Sequence, residues 1–356
     1  MIIQYFTGTP DEEIESVRAK LRDWGFRVQF NPGELGASPE ERIQVDNVFG
    51  NVKDEHRVSI GEVDCVKQVI PVEGVPQNLS LVRRGHRATV TLPNPHGMKA
   101  GQGPVEIGAG RPLVVMAGVC AVDAEYTLAS HRMAKDAGAD LNRGGAFKPR
   151  TSPYDFQGLK EDGLKLLAEV RAEVGLPIVS EILDVRDIDL FMKYDVDVLQ
   201  TGTRNAQNFE LLIEVGRTGK PVLYKRGFSN TMDESLKAAN YVMEQGNDNL
   251  IFCLRGVKGI GHSFRNQGDL DEIVSLSHLI DRPIVYDVSH SAGRKSAVRA
   301  IGDMAAAGGA DGILLDVHVS PRHALVDGFQ AIDTEAELAP MIARWRQLRE
   351  LTQPVG

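Results

Sequence analysis

The 356-residue chain has little cysteine, no surplus of positive charge and no long apolar run, and each shortage excludes a class of protein. Its three cysteines, Cys65, Cys120 and Cys253, form neither a CxxC knuckle nor an even disulfide framework, which points to a reducing compartment. Lys and Arg total 40 against 49 Asp and Glu, a formal net charge of -9. Without a basic stripe interleaved with aromatics, a nucleic-acid partner is not expected. No apolar run approaches the roughly 20 residues of a membrane span, and the opening MIIQYFTGTPDEE lacks a basic region followed by an apolar stretch. No membrane association is therefore expected, and the expected location is the cytoplasm. Also missing are a G-x-S-x-G elbow, a P-loop and a dinucleotide G-x-G-x-x-G placed after a strand. The nearest glycine-rich segment, Gly108-Ala-Gly-Arg, comes before the first of the apolar stretches described next.

Eight short apolar stretches each close on a charged or metal-binding residue: Cys120, Arg143, Glu181, Arg204, Lys225, Arg255, His290 and Asp316. Helix-length amphipathic segments separate them. Continuous Val/Ile/Leu runs read as buried parallel strands, and eight strand-helix repeats predict an α/β fold, a (β/α)8 TIM barrel. Catalytic groups of such barrels sit at the C-terminal ends of the strands, so all eight residues converge on one mouth.

One barrel needs roughly 250 residues, which leaves about a hundred for a second unit. MIIQYFTG reads as a strand, and a helix follows Pro10. RVQFNP and QVDNVFGNV read as a strand pair, followed by a short helix around Gly61 to Cys65 and the strand VKQVIPV. This βαββαβ order predicts a small ferredoxin-like α+β domain over residues 1–85. Residues 86–112 contain ATVTLP and PVEIGAG, a linker and hairpin expected to plug the bottom of the barrel. The catalytic barrel is expected over 113–356, with Asp333 to Thr352 as its eighth helix.

The densest chemistry lies in Arg143-Gly-Gly-Ala-Phe-Lys148-Pro-Arg150-Thr151-Ser152-Pro153. Three cations and two hydroxyls on a backbone fixed by Gly-Gly and two prolines make a surface for phosphate or carboxylate. Arg204, Lys225-Arg226 and Arg255 extend it. A lone arginine at a strand end is commonly a surface ion pair, but four or five cations facing one mouth repel one another unless anions sit among them. The expected ligand is phosphorylated and carboxylated. Cys120, His290, Asp316 and Asp327 offer a thiolate, an imidazole and two carboxylates, a set suited to Mn²⁺, Fe²⁺, Co²⁺ or Zn²⁺. Blander readings stand beside this one: a lone cysteine is usually a small buried hydrophobe, His318 competes with His290, and Val326-Asp327-Gly328 can simply turn the chain.

The runs RGGAFKPRTSPYDFQGL, GTRNAQNFELL, KRGFSNT, SHSAGRK and ALVDG closely resemble the 3-deoxy-7-phosphoheptulonate (DAHP) synthases of the short type with an N-terminal ferredoxin-like regulatory domain. The resemblance covers about residues 113 to 331, and more weakly the front. It implies a metal-dependent condensation of phosphoenolpyruvate with erythrose 4-phosphate that opens the shikimate route. It assigns phosphoenolpyruvate to Arg143, Lys148, Arg204, Lys225 and Arg255, the aldose phosphate to Arg150, Thr151 and Ser152, and the metal to Cys120, His290, Asp316 and Asp327. Asp287 or a metal-bound water would relay protons. It further implies feedback by an aromatic amino acid bound to the front domain and a homotetramer or homodimer, although Pro32 to Glu41 shows no readable effector pocket.

Four positions depart from the family pattern: Gly118-Val119-Cys120-Ala121 for Gly-Pro-Cys-Ser, Asp316 for a glutamate, Cys253-Leu254-Arg255-Gly256 for Cys-Glu-Arg-Gly, and Asp287-Val288-Ser289-His290 for Asp-Pro-Ser-His. They cluster near the metal and leave the anion-binding residues intact. The pattern therefore also admits a diverged synthase that joins phosphoenolpyruvate to another aldehyde. A third reading, a catalytically weak regulator that binds an effector, does not explain why two phosphate clamps are kept.

Overall fold

The computed structural model describes residues 1–31, 44–50, 52–70, 75–76, 78–92, 103–108, 110–259 and 265–352. The chain divides into two compact units, Met1–His86 and Arg87–Gly356.

The small unit runs β1 (Ile2–Tyr5), α1 (Asp11–Asp23), β2 (Arg27–Asn31), β3 (Val45–Phe49), α2 (Asp54–Gly61), β4 (Val66–Ile70) and a short helix α3 (Leu81–Arg84). Its strands form one sheet in the order β2-β3-β1-β4, with β3 and β4 both antiparallel to the central β1, which is the ferredoxin-like arrangement. Alternation along the strands and 3.6-residue spacing in α1 bring Ile3, Tyr5, Ile14, Val17, Leu21, Val48 and Val66 into one core. Asp46, buried there, is held by a bidentate Arg18 at 2.7 and 2.8 Å and by the Tyr5 hydroxyl at 2.8 Å. The second helix falls earlier than the sequence suggests, over 54–61 rather than near Gly61 to Cys65. His56 explains the early start: its Nδ1 accepts the Lys53 N–H at 2.9 Å and satisfies an otherwise free donor at the helix entrance. Pro32 to Glu41 lies outside the described residues.

The large unit opens with a hairpin of β5 (Thr89–Leu92) and β6 (Val105–Gly108), whose connection at 93–102 is outside the described residues. Eight parallel strands follow: β7 (Val114–Gly118), β8 (Leu141–Arg143), β9 (Ile178–Ile182), β10 (Val198–Thr201), β11 (Val222–Lys225), β12 (Leu250–Arg255), β13 (Ile284–Asp287) and β14 (Gly312–Asp316). Each pairs with the next, and β14 returns to β7 with Asp316 opposite Gly118, closing the (β/α)8 barrel. Val90, Leu92 and Ile107 of the hairpin share a core with Val114, Met116, Leu141, Val179 and Leu223 of the strands. Because Val114 begins β7, the hairpin packs at the N-terminal end, opposite the mouth.

The helices are α4 (Thr127–Asp136), α5 (Glu161–Val174), α6 (Ile188–Lys193), α7 (Phe209–Arg217), α8 (Met232–Met243), α9 (Asp271–Leu279), α10 (Val288–Ala292), α11 (Lys295–Ala307) and α12 (Glu335–Thr352). Their starts are written in the sequence. Asn208 caps α7 by accepting the Leu211 N–H at 3.3 Å, and Thr231 with Glu234 forms a reciprocal capping box on α8. Among the described residues, no helix is long and apolar enough to cross a membrane.

Candidate functional site

A single cavity at the C-terminal end of the barrel gathers Arg143, Lys148, Arg150, Thr151, Arg204, Lys225, Arg255, His290 and Asp327. Six of the eight residues expected at strand ends lie in a strand or within two residues of its end; the other two lie three residues beyond. Arg204 lies past β10 on a short 3-10 turn, Thr203–Asn205, and is exposed at the rim. His290 rides on α10, and the residue that ends β13 is Asp287.

Arg143, Lys148, Lys225 and Arg255 are each less than a tenth exposed. Arg143 is ion-paired with Asp316, and Lys225 with Asp287. Lys148 instead donates to the carbonyl of Cys120 at 3.0 Å and to its sulfur at 3.3 Å. Arg255 donates to Gly256 O at 2.9 Å, Thr203 Oγ1 at 3.3 Å and His290 O at 3.3 Å. Among the described residues, no carboxylate forms an ion pair with either Lys148 or Arg255. A buried charge left without a counter-ion is costly, and burial pulls the Arg255 pKa below its ordinary value. An anion entering the cavity removes that cost. Phe228 floors this region: the guanidinium carbons of Arg204 and Arg255 lie 5.4 and 4.6 Å from its ring centroid, which attracts cations.

Farther out, Arg150 and Thr151 line the cavity together with Asp155, whose carboxylate lies 3.3 Å from Arg150. Arg204 donates to Thr151 Oγ1 at 3.5 Å. Ser152 behaves differently from the sequence expectation. Its Oγ accepts the Tyr154 N–H at 3.2 Å, so the hydroxyl builds the turn and is not among the cavity-lining residues.

Beside the cage, Cys120 Sγ, His290 Nε2 and Asp327 Oδ2 form a triangle with edges of 3.9, 3.4 and 3.7 Å. Donor atoms of Cys120, His290 and Asp316 also lie within 4.8 Å of one another. Asp327 adopts φ of 56°, a left-handed conformation that aspartate tolerates better than most residues, and the turn expected of Val-Asp-Gly thereby aims a carboxylate at the imidazole. Burial favours a neutral Asp327, but His290, Arg265 and Lys148 outweigh it and keep the carboxyl ionised far below the usual range. Burial likewise depresses His290, yet Asp287 and Asp316, with the bonds from Asp287 and Asp327, carry it up to about 10. His318 is not part of this group. Its Nδ1 accepts the Ser320 N–H at 3.0 Å and its Nε2 faces Asp123 at 3.4 Å.

Asp287 is fully buried. Burial raises its carboxyl, but His290 and Lys225 more than compensate and hold it well below the ordinary value. With no exposed surface, it acts on His290 and does not line the cavity. Residues that the sequence reading did not single out also line it: Gln200, Thr203, Phe228, Asp155 and Arg265, the last bonded to Asp327 at 3.1 Å. Phe228 and Asp155 sit inside the runs KRGFSNT and RTSPYDF. Arg265 follows a long connection after β12 and carries no local signal.

A sequence model described as the DAHP synthetase I family matches residues 88–352. The chain is 35% identical over 340 residues to a phospho-2-dehydro-3-deoxyheptonate aldolase of Thermotoga maritima, covering 94% of each protein. It is 31% identical over 249 residues to a 2-dehydro-3-deoxyphosphooctonate aldolase of Syntrophotalea carbinolica, covering 64% of this chain and 88% of that one. The crystal structure of the Thermotoga maritima DAHP synthase superposes with a TM-score of 0.72 at 31% identity, over 98% of this chain and 97% of that one. A truncated form of the Thermotoga enzyme gives 0.65 at 31% identity, over 77% of this chain and 96% of that one.

Proposed function

The chain belongs to the DAHP synthetase I family, and from that premise we propose that it condenses phosphoenolpyruvate with erythrose 4-phosphate and water, giving DAHP and phosphate. The observation that carries this reading is the pair of buried cations without carboxylate partners, Lys148 and Arg255, inside a cage completed by Arg143, Arg204 and Lys225. A dianionic or trianionic enolpyruvate supplies the charge that the cage lacks. Arg150 and Thr151, on the outer side of the same cavity, then hold the phosphate of the aldose and set its aldehyde against C3 of the enol. The octonate aldolase reading is less favoured, because that relative matches only 64% of the chain whereas the heptonate aldolase matches 94%.

Cys120, His290, Asp316 and Asp327 are the donors within reach of one divalent ion, Mn²⁺, Fe²⁺, Co²⁺ or Zn²⁺, and their mixture of thiolate, imidazole and carboxylate fits such an ion. When bound, the ion supplies Lewis-acid polarisation of the aldehyde carbonyl. The chain's own groups do the rest. Arg143, Lys225 and Arg255 keep the enolpyruvate carboxylate and phosphate fixed while C3 forms the new bond to the aldehyde carbon. Lys148, touching the Cys120 sulfur on one side and the cavity on the other, delivers the proton that the new alkoxide takes up. Water adds at C2 and its released proton restores the Lys148 ammonium; phosphate then departs with cleavage of its C–O bond, taking the C2 hydroxyl proton as the ketone forms. Asp287 orients His290 and does not reach the reacting atoms.

The front domain is assigned feedback control by an aromatic amino acid, the assembly a homotetramer or dimer, and the location the cytoplasm, all from family resemblance. The deciding experiment follows phosphate release from phosphoenolpyruvate with erythrose 4-phosphate, before and after chelation and re-addition of Mn²⁺, with the product weighed by mass spectrometry. A seven-carbon phosphate formed only with metal supports the reading. Phosphoenolpyruvate binding without that product would replace the aldehyde, and absence of binding would overturn the cage.

A further inference from the structure

Resting on that reading, we propose that Asp316 is a positioning residue for Arg143 and not a ligand of the metal, so that the protein holds the ion with three side chains: Cys120, His290 and Asp327. The inference starts from the two oxygens of Asp316. Oδ1 is ion-paired with Arg143, and Oδ2 accepts Gln330 Nε2 at 2.6 Å. Its backbone N–H is held by Ser289 Oγ at 2.9 Å, so the carboxylate plane is fixed at the end of β14. Both partners are buried, Asp316 fully and Arg143 to 4% exposure. A contact between two buried charges is strong only while both remain together.

The imidazole gives a second, independent argument. Only one of its nitrogens can serve a metal while the other is engaged, and Nδ1 is already within 3.0 Å of Asp287. The free nitrogen, Nε2, faces Cys120 Sγ at 3.9 Å and Asp327 Oδ2 at 3.7 Å. Asp316 Oδ2 approaches the opposite nitrogen, Nδ1, at 3.8 Å. Three donors 3.4 to 3.9 Å apart match ligands roughly 2.0–2.3 Å from one centre. A carboxylate oxygen of Asp316 also lies within 4.8 Å of donor atoms of Cys120 and His290, but both of its oxygens are already engaged, one by Arg143 and one by Gln330. An aspartate here, one methylene shorter than glutamate, is committed to Arg143 and Gln330 rather than to the ion. Arg143 thereby keeps a fixed orientation toward the enolpyruvate.

The test uses the full chain stripped by chelator and titrated with Co²⁺ alone, reading the thiolate-to-cobalt charge-transfer band and the dissociation constant by competition. Phosphoenolpyruvate binding is measured separately on the metal-free protein. Asp327→Asn should lose Co²⁺ affinity by at least about tenfold. Asp316→Asn should keep the band and stay within about threefold of the parent, while its phosphoenolpyruvate affinity drops by at least about tenfold. Loss of Co²⁺ by Asp316→Asn as steep as by Asp327→Asn overturns the proposal, as does unchanged phosphoenolpyruvate binding. Because an unpaired buried guanidinium can prevent folding, Asp316→Glu provides the second arm. The added methylene should bring a fourth ligand and tighten Co²⁺ by about tenfold or more, and no gain would count against Asp316 being withheld from the ion. A parent protein that takes up no Co²⁺ would strike the metal reading itself, and the phosphoenolpyruvate arm alone would then decide the role of Asp316 toward Arg143.

Discussion

The carboxylate of Asp287 comes within 3.0 Å of His290 Nδ1 while also accepting the His290 backbone N–H at 3.1 Å. One side chain thus caps the helix that carries the imidazole and engages its Nδ1, leaving Nε2 directed at Cys120 and Asp327. Lys225 closes the arrangement from the other side of the carboxylate. Asp287→Asn keeps the shape and removes the charge. Metal affinity, measured by chelator competition, should drop about 10- to 100-fold. An unaltered affinity would show that His290 needs no such partner.

Lys148 joins the anion cage to the sulfur of Cys120, with 3.3 Å between Nζ and Sγ. Lys148→Met removes the charge while keeping most of the apolar stem, so the barrel should fold with an unchanged thermal midpoint. Turnover should drop by roughly 10²–10³-fold or more, the scale of losing one aimed electrostatic group. Ordinary steady-state kinetics in a folded variant would remove Lys148 from the mechanism.

Asp155 places a negative charge 3.3 Å from the arginine assigned to the aldose phosphate. Both groups are partly exposed, so the pair itself stabilises the fold by at most about 1 kcal/mol. Its effect should instead be on substrate. In Asp155→Asn the guanidinium of Arg150 faces no competing carboxylate, and KM for the phosphorylated aldehyde should drop about three- to tenfold at low salt with kcat nearly unchanged. A rise in KM would mean that Asp155 bonds the sugar.

The barrel was legible because buried parallel strands leave continuous apolar runs, and the cage because its cations sit at the ends of those runs. Local signals do not report which partner a side chain chooses. Asp316 has the right address for a metal ligand, but Arg143, separated from it by 173 residues in sequence, takes its carboxylate. Ser152 reads as a phosphate donor in RTSP, yet a turn only two residues long uses its hydroxyl first. Arg265 was not legible because its bond to Asp327 joins residues 62 apart in sequence. In the small unit, the helix at 54–61 began early owing to a histidine bond at its entrance that no periodicity encodes.

Gly118 lies where β7 meets Arg143 and α4. A Cβ added there would come within 1.9 Å of the Arg143 carbonyl and 2.4 Å of His131 Nε2. Backbone cannot yield as a flexible side chain would, so Gly118→Ala should destabilise the protein by about 1–3 kcal/mol or more. KM for phosphoenolpyruvate should rise with it, because the displaced atom belongs to a cage residue. A variant with normal melting and normal KM would show that the strand end moves freely.

His131 makes the other contact to that carbonyl, and it gives the protein a pH dependence separate from the metal site. The ring is fully buried in α4, with Nε2 2.9 Å from Arg143 O, so Nε2–H donates to that carbonyl. Burial pushes its pKa down to about 4 from an ordinary 6.5. Above pH 6.5 the ring is neutral in folded and unfolded chains, and its contribution to stability is fully present. As pH falls below that point, the unfolded chain binds a proton that the folded chain refuses, so stability declines until the folded ring also titrates near 4. That depression corresponds to about 3 kcal/mol of stability lost across the range. Urea midpoints compared between pH 7.5 and 4.5 should therefore drop further for the parent than for His131→Gln, whose side-chain amide can still donate to the Arg143 carbonyl but does not titrate. Active-site carboxylates titrate in both proteins and cancel in the difference. Equal slopes would mean that burial does not keep His131 neutral in the folded chain.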